Sequence, residues 1–467
     1  MRCCLSLKAL LVGGVSLVSA FASANSLGLG VYVDRTPTNQ EINANYTGAK
    51  HEPKVGCYLG AFIDLDSTLK QTFTDQTQKV RKMPDEFEAI VKKPHASYFF
   101  YMGWGRPIAV DWITYLGMTG KIVHIALEPN NGLQDVKDDW YLKHLADDLK
   151  KTEAKIFLRF ASEMNGPWVK YSGNPKLYRE KFKLVSQIMK KRAPNVAMVW
   201  CPYTTPRGPI DSYYPGDEFV DWVGVNMYSV TYFNQDKNQP AAHIHPIEML
   251  EPIYNKYSKR KPIMIGEFGA THYSSLEKKS QVAFAQRAIT SLYSSLPRVF
   301  PRVKSIFYFN GNNLELAHRL NNNYAVTQNP SVLQTYREAI ASPYFLSSNT
   351  GRIAKLDGIG NFSMEPVDGS SQPELENQLP NRPMAVNSGD ILQGVASLSV
   401  WMKHHTGGLK VKVTLSDQVV HTATTKSGWS FTVDTKKFSN GTHLLVVEVF
   451  NGAKKLDVQK LRVKILN

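Results

Sequence analysis

The chain is expected to be an α/β protein: a (β/α)8 TIM barrel followed by a small all-β sandwich. Three observations carry this expectation. Eight short apolar runs recur from residue 54 onward, each ending in polar or aromatic residues. Amphipathic stretches with a helical period lie between them. After about residue 384 the pattern changes to two-residue alternation.

The runs are KVGCYLGAFI (54–63), HASYFFYMGW (95–104), KIVHIALEP (121–129), AKIFLRFASE (154–163), VAMVWCPYT (196–204), VDWVGVNMYS (220–229), PIMIGEFGA (262–270) and VKSIFYFN (303–310). Runs that apolar suit strands covered on both faces, as in a parallel sheet. The intervening stretches, such as DWYLKHLADDLKKT and KLYREKFKLVSQIMKKR, supply the covering helices. Eight such units spread over residues 50–345 fit a barrel. A doubly wound open sheet would more often show a glycine-rich phosphate loop after its first strand.

NPSVLQTYREAIASPYF (329–345) supplies the last barrel helix. Residues 346–384 are rich in Ser, Asn, Gly and Pro and form a linker. Residues 385–467 contain ASLSVWM, LKVKVTLS, WSFTVDT, THLLVVEVF and LRVKIL, short alternating strands separated by turns such as SNGT.

The first 24 residues, MRCCLSLKALLVGGVSLVSAFASA, carry Arg2 and Lys8, then an apolar run, then an A-x-A site at 22–24. They match a secretory signal peptide, so a secreted protein is expected, extracellular or periplasmic. No other stretch is long and apolar enough to span a bilayer. Two cysteines remain after cleavage, Cys57 and Cys201; buried free thiols are favoured over a disulfide. No metal-ligand spacing stands out, HIH at 243–245 included, and no cofactor is expected.

The formal charge of +15 includes Arg2 and Lys8, leaving about +13 without the leader. Lys and Arg are scattered, which argues against a nucleic-acid module. From 383 onward eleven Lys and Arg stand against five Asp and Glu, a net of about +6. That charge suits weak attachment to an acidic polymer or cell envelope.

In a (β/α)8 barrel the active site lies at the C-terminal ends of the strands. Glu163 ends the fourth run and Glu267 falls near the end of the seventh, 104 residues away. Closure of the barrel would bring them to one mouth. Two carboxylates there suit glycosidic cleavage, one protonating the leaving oxygen while the other attacks or activates water. A strand-end salt bridge is the plain alternative for either residue taken singly.

RFASEMNGPW, YYPGDEFVDWVGVNMY and IMIGEFG resemble the signatures of glycoside hydrolase family 26, best known for endo-β-1,4-mannanases. The resemblance covers about residues 50–345. It implies Glu163 as general acid/base and Glu267 as nucleophile of a retaining double displacement on a polysaccharide. It further implies that Arg159 holds the nucleophile ionised through a charge-assisted hydrogen bond, that Tyr228 hydrogen-bonds the nucleophile, and that Trp168 stacks on a sugar. Asn165 would fix the loop or a sugar hydroxyl.

Two positions depart from the family pattern. Ser162 stands where the mannanases usually have histidine, and Phe309–Asn310 where related barrels often have tryptophan. Relatives also act on mixed-linkage β-glucan and β-1,3-xylan. A hydrolase of bacterial exopolysaccharide and a non-catalytic polysaccharide-binding protein are the competing readings.

Trp104, Trp200, Tyr232 and Phe233 fall at strand ends or in the following loops. Trp104 and Trp200 are read as sugar platforms, with core packing as the alternative for each. Glu128, at the end of the third run, is read as a ligand of sugar hydroxyls. His124 is read as a satisfied barrel histidine. The C-terminal module resembles the bacterial Ig-like domains appended to secreted glycanases. Truncation at about residue 346 is expected to leave turnover on a soluble polymer intact.

Overall fold

A computed structural model describes residues 28–316, 321–348, 352–356, 362–366, 381–403, 408–425 and 429–467. The leader expected at 1–24 lies outside the described residues.

Eight parallel strands form a closed barrel: Cys57–Phe62, Ser97–Gly103, Ile122–Glu128, Ile156–Phe160, Val196–Trp200, Trp222–Ser229, Ile263–Ala270 and Val303–Phe309. Each pairs with the next, and the eighth pairs with the first from Ser305↔Tyr58 to Phe309↔Phe62. The sheet therefore has no free edge along these strands.

Side chains alternate across the strands. Phe99, Ile122, Phe157, Val199, Met264 and Phe307 fill the barrel interior. Phe100, Val123, Leu158, Met198, Ile265 and Ile306 face the helical layer instead. Both faces are dry, which is why these segments read as unbroken apolar runs.

Helices cover the outside at Pro84–Val91, Val110–Met118, Trp140–Lys151, Pro175–Arg192, Pro246–Tyr257, Val282–Val299 and Pro330–Ile340. Several begin with a side-chain cap: Asp139 accepts from Leu142 N, Asn174 from Leu177 N, and Asn329 from Ser331 N and Val332 N. Proline at the first helical position supports the starts at 175, 246 and 330. The fifth unit departs from the expected pattern. Residues 201–219 hold only a 3-10 turn, Ile210–Tyr213. Pro202, Pro206, Pro209 and Pro215 break that short stretch too often for an α-helix.

The C-terminal region is two sheets. One has the order Arg382–Ala385, Gly30–Arg35, Val395–Trp401, Trp429–Asp434. The other has the order Ile391–Leu392, Lys454–Ile465, Gly441–Asn451, Leu409–Leu415, Gln418–Thr425. Val31, Leu398, Val400, Trp429, Val413 and Val447 belong to their shared core. Segments Arg352–Leu356 and Phe362–Pro366, within the expected linker, pair as an antiparallel ribbon.

Gly30–Arg35 precedes the barrel in sequence yet lies between two strands of the C-terminal sheet. Its six residues are too few and too isolated for alternation alone to assign them to a sandwich 350 residues away. Tyr32 and Trp401 are buried within the barrel-side core. The Trp401 indole donates to Ser294 Oγ at 3.1 Å, and Arg298 Nη2 donates to Ser399 Oγ at 3.3 Å. Lys403 pairs with Glu251 at 2.5 Å.

Truncation at residue 346 would strip both partners from strand 30–35 and uncover this contact. The truncated chain is accordingly expected to lose soluble yield and thermal stability. Trp401→Ala should cost about 3–5 kcal/mol, as for other buried tryptophans. Unfolding of the full chain and of the two variants, followed by circular dichroism, checks both. An unchanged Tm for the truncated chain would show the sandwich to be a mere appendage.

Candidate active site

Strand parity and one irregularity build the site. Arg159 points inward on the fourth strand, two residues after Phe157, and is fully buried. On the sixth strand Asn226 and Tyr228 point inward, in step with Trp222. Strict alternation on the seventh strand would send Gly266 inward and Glu267 outward. However, the register slips by one residue against the sixth strand between Ile265 and Glu267. It slips again against the eighth strand between Ile265 and Phe268. The slip is a β-bulge, which re-aims side chains. It turns Glu267 into the barrel and returns Phe268 to the outer layer.

Glu267 accepts from three donors. Arg159 Nη2 lies 2.5 Å from Oε1, the Tyr101 hydroxyl lies 2.7 Å from the same oxygen, and the Tyr228 hydroxyl donates to Oε2. The Arg159 guanidinium also lies 5.3 Å from the Phe99 ring centre and 5.9 Å from that of Tyr101. Arg159 and Tyr228 thus both lie against Glu267, and Tyr101 joins them.

A side chain at Gly266 is incompatible with this packing. Its Cβ would lie 2.7 Å from Asn226 Oδ1, 3.0 Å from Cys201 Sγ and 3.1 Å from Arg159 Nη1. Gly266→Ala is expected to shift the network beneath Glu267. Displacements near 1 Å cost on the order of 100-fold in rate, so a drop of that size in kcat/KM with the fold retained is the expected result. Wild-type kinetics in this variant would mean that the network is slack.

Glu163 lies three residues beyond the fourth strand. The chain gets there through two non-glycine residues in left-handed backbone, Ala161 at φ 49° and Glu163 at φ 59°. Such strain is held by the surroundings and concentrates at functional sites. Here the Glu163 amide donates to Cys201 O and its carbonyl accepts from Gly166 N, both at 2.9 Å. The carboxylate accepts from Asn226 Nδ2 at 2.8 Å and from the Trp168 indole at 2.6 Å. Burial, and secondarily the charge of Glu267, raise its pKa to about 7 despite those two hydrogen bonds.

Asn226 joins the two carboxylates. Its Oδ1 accepts from Arg159 Nη1 at 2.9 Å and from the Cys201 thiol at 3.1 Å. These donors fix the amide orientation, so that Nδ2 must face Glu163. Sequence reading passed over Asn226 and Tyr101. Both had a signal: each is a polar-tipped residue inside an apolar run, and Asn226 stands two before Tyr228, on the same face.

The other expected residues divide. Trp168 is 47% exposed and packs edge-on against Tyr203, besides its bond to Glu163. Asn165 is buried and serves its own loop: Nδ2 donates to Tyr203 O and Pro206 O, and Oδ1 accepts from Tyr203 N, each at 2.9 Å. Glu128 does reach the mouth. It accepts from Ser162 Oγ at 2.7 Å and from the Tyr171 hydroxyl, and burial raises its pKa. Ser162 therefore orients a third carboxylate.

Trp104 is half-buried on the outer face of its strand, against Tyr141 and Phe160. Trp200 is not a sugar platform. It is fully buried among Tyr214 and Tyr257 of the outer layer, because parity sends Trp200 outward and Cys201 inward. His124 is buried in the barrel between Phe99 and Phe307, and neither ring nitrogen has a protein partner, contrary to the satisfied histidine expected. His245 accepts from Ile247 N and meets Ser291 Oγ at 2.8 Å, so it caps a helix. Cys57 and Cys201 are buried free thiols. Among the described residues no cluster of three or more metal-ligating side chains occurs, and no helix is long and apolar enough to cross a membrane.

The protein is thus a TIM barrel with a carboxylate-lined mouth. Residues 100–249 match the model of glycosyl hydrolase family 26. Among curated proteins it is similar to a beta-1,3-xylanase of Alcaligenes sp, 27% identical over 181 residues, 37% of this chain and 35% of that one. The beta-1,3-xylanase TXYA of Vibrio sp is 28% identical over 181 residues, 37% of this chain and 36% of the relative. The chain spans about a third of the length of these relatives. Among solved structures it is similar to an endo-beta-1,4-mannanase double mutant of Cellulomonas fimi, with a TM-score of 0.45 and 14% identity over 90% of this chain and 99% of that one.

Proposed function

We propose that this chain is a retaining β-glycanase, with Glu267 as nucleophile and Glu163 as general acid/base. The observation that carries the reading is the unlike surroundings of the two carboxylates. Glu267 faces a buried guanidinium and two phenols, donors suited to a carboxylate that attacks and then leaves. Glu163 meets only neutral donors and has its pKa raised to about 7, as an acid that must carry a proton requires.

In the first step a Glu267 oxygen bonds to the anomeric carbon as the glycosidic C–O bond breaks. The Glu163 proton passes to the departing oxygen. In the second step the Glu163 carboxylate takes a proton from water, whose oxygen displaces Glu267 and restores it. The net change is hydrolysis with the β configuration kept. Proton NMR of the first-formed reducing end tests this; initial release of the α anomer would overturn the assignment.

The substrate class follows less directly. The xylanase relatives support β-1,3-xylan as the first polymer to test. The mannan reading rests on motif resemblance, and Ser162 engaged with Glu128 departs from the mannanase pattern. A panel of β-1,3-xylan, β-1,4-mannan and mixed-linkage β-glucan, scored for new reducing ends, separates them. Secretion, and a salt-sensitive attachment of the basic sandwich to acidic envelope polymer, belong to the same reading.

A further inference from the structure

The helix Trp140–Lys151 follows the third barrel strand, which ends at Glu128 in the mouth. Its first turn therefore stands on the rim of the catalytic face. Trp140 opens that helix and is 71% exposed, more than any other large hydrophobic side chain among the described residues. Covering the exposed part of this indole with a partner would be favourable.

This indole is held in place rather than loose. His144, one turn along, stacks on it at 4.2 Å between ring centres and 22° between planes. Asp139 caps the same turn through Leu142 N at 3.1 Å, and Lys143 pairs with Asp138 at 2.8 Å. One face of the indole is thus covered by imidazole, and the exposed area lies on the rest of the ring.

A separate series of aromatic contacts starts at the next residue. Tyr141 donates to Arg106 O at 3.1 Å and packs edge-on against Trp104 at 5.2 Å. Trp104 meets Phe160 at 5.7 Å, and Phe160 is the last residue of the strand that leads to Glu163. A flat, rigid, half-covered ring at the rim suits the C–H face of a pyranose.

We propose that Trp140, backed by His144, is an outer platform for a sugar unit of the β-linked polymer whose chain runs through the mouth. The proposal rests on the glycanase reading, and it adds a contact outside the catalytic cleft.

The test uses full-length Glu267→Gln, so that polymer is bound without turnover, with Trp140→Ala, Trp140→Phe or His144→Ala added. Retardation in native gels containing β-1,3-xylan, β-1,4-mannan or mixed-linkage β-glucan gives the affinities. Aromatic contacts of this kind are worth about 0.5–1.5 kcal/mol, so Trp140→Ala should weaken polymer binding about 2- to 12-fold. Trp140→Phe should retain most of it, and His144→Ala should fall between. With Glu267 intact, Trp140→Ala should leave kcat/KM on a short aryl glycoside unchanged.

If wild type hydrolyses a polymer and Trp140→Ala binds it as tightly as its parent, the platform is wrong and the glycanase reading stands. If the parent binds a polymer that wild type never cleaves, and Trp140→Ala weakens that binding, the platform stands and the catalytic reading falls. If polymer is neither bound nor cleaved, both fall.

Discussion

Glu267→Gln is expected to lower turnover about 10⁴-fold or more, the scale of removing a covalent nucleophile, and to destabilise the fold as well. Arg159 is fully buried and its charge is balanced by Glu267 at 2.5 Å. Removing one partner of a buried pair leaves the other uncompensated, at a cost of roughly 3–5 kcal/mol. Asn226 retains its hold on the guanidinium and keeps that loss from being larger. Tyr101 and Tyr228 also lose their charged acceptor. Glu267→Ala opens space beside the anomeric carbon. Azide entering there should restore part of the turnover and give the α-glycosyl azide, because it replaces the enzyme nucleophile on that face. Kinetics on an activated aryl glycoside, with and without azide, together with thermal melts, check each part. Residual activity within 10-fold of wild type would remove Glu267 from the chemistry.

The strands were legible because a parallel barrel buries both faces, so composition alone marks the eight runs. Glu163 was legible for the same reason, as a charged group at the end of such a run, whereas Arg159 was legible only through the family resemblance. Glu267 was legible only as a residue near a strand end. Its inward aim depends on a bulge that the sequence GEFG does not announce. Trp200 misled because an aromatic at a strand end has two faces to choose from, and parity from Phe157 through Arg159 gives no register for the neighbouring strand. Asn226 was hidden by its neighbours: between Val225 and Met227 it reads as an interruption, yet it is the hydrogen-bonded link between the two carboxylates. Strand 30–35 could not be placed at all, since its partners are set by closure of the whole chain.

Glu163→Gln should act in the opposite direction on stability, which separates the two glutamates without a substrate. A carboxyl raised from its ordinary 4.5 to about 7 binds more protons in the folded than in the unfolded chain between those values. Stability then falls as pH rises from about 4.5 to about 7, and the cost is complete above that. At about 1.4 kcal/mol per pKa unit the penalty reaches a few kcal/mol. Gln cannot ionise and escapes it, so the variant should melt higher than wild type, by a margin that grows across this window and then levels. Turnover should fall about 10²- to 10⁴-fold on polymer, the usual worth of general acid help. It should fall far less in the glycosylation of the enzyme by a substrate with a very acidic leaving group, which departs unaided. Wild-type kcat/KM should decline above pH 7 as Glu163 loses its proton, and that limb should vanish in the variant. Azide should rescue deglycosylation in Glu163→Ala and give the β-glycosyl azide, the opposite anomer to that from Glu267→Ala. Equal losses on good and poor leaving groups, or the same azide anomer from both variants, would reverse or abolish the assignment of roles.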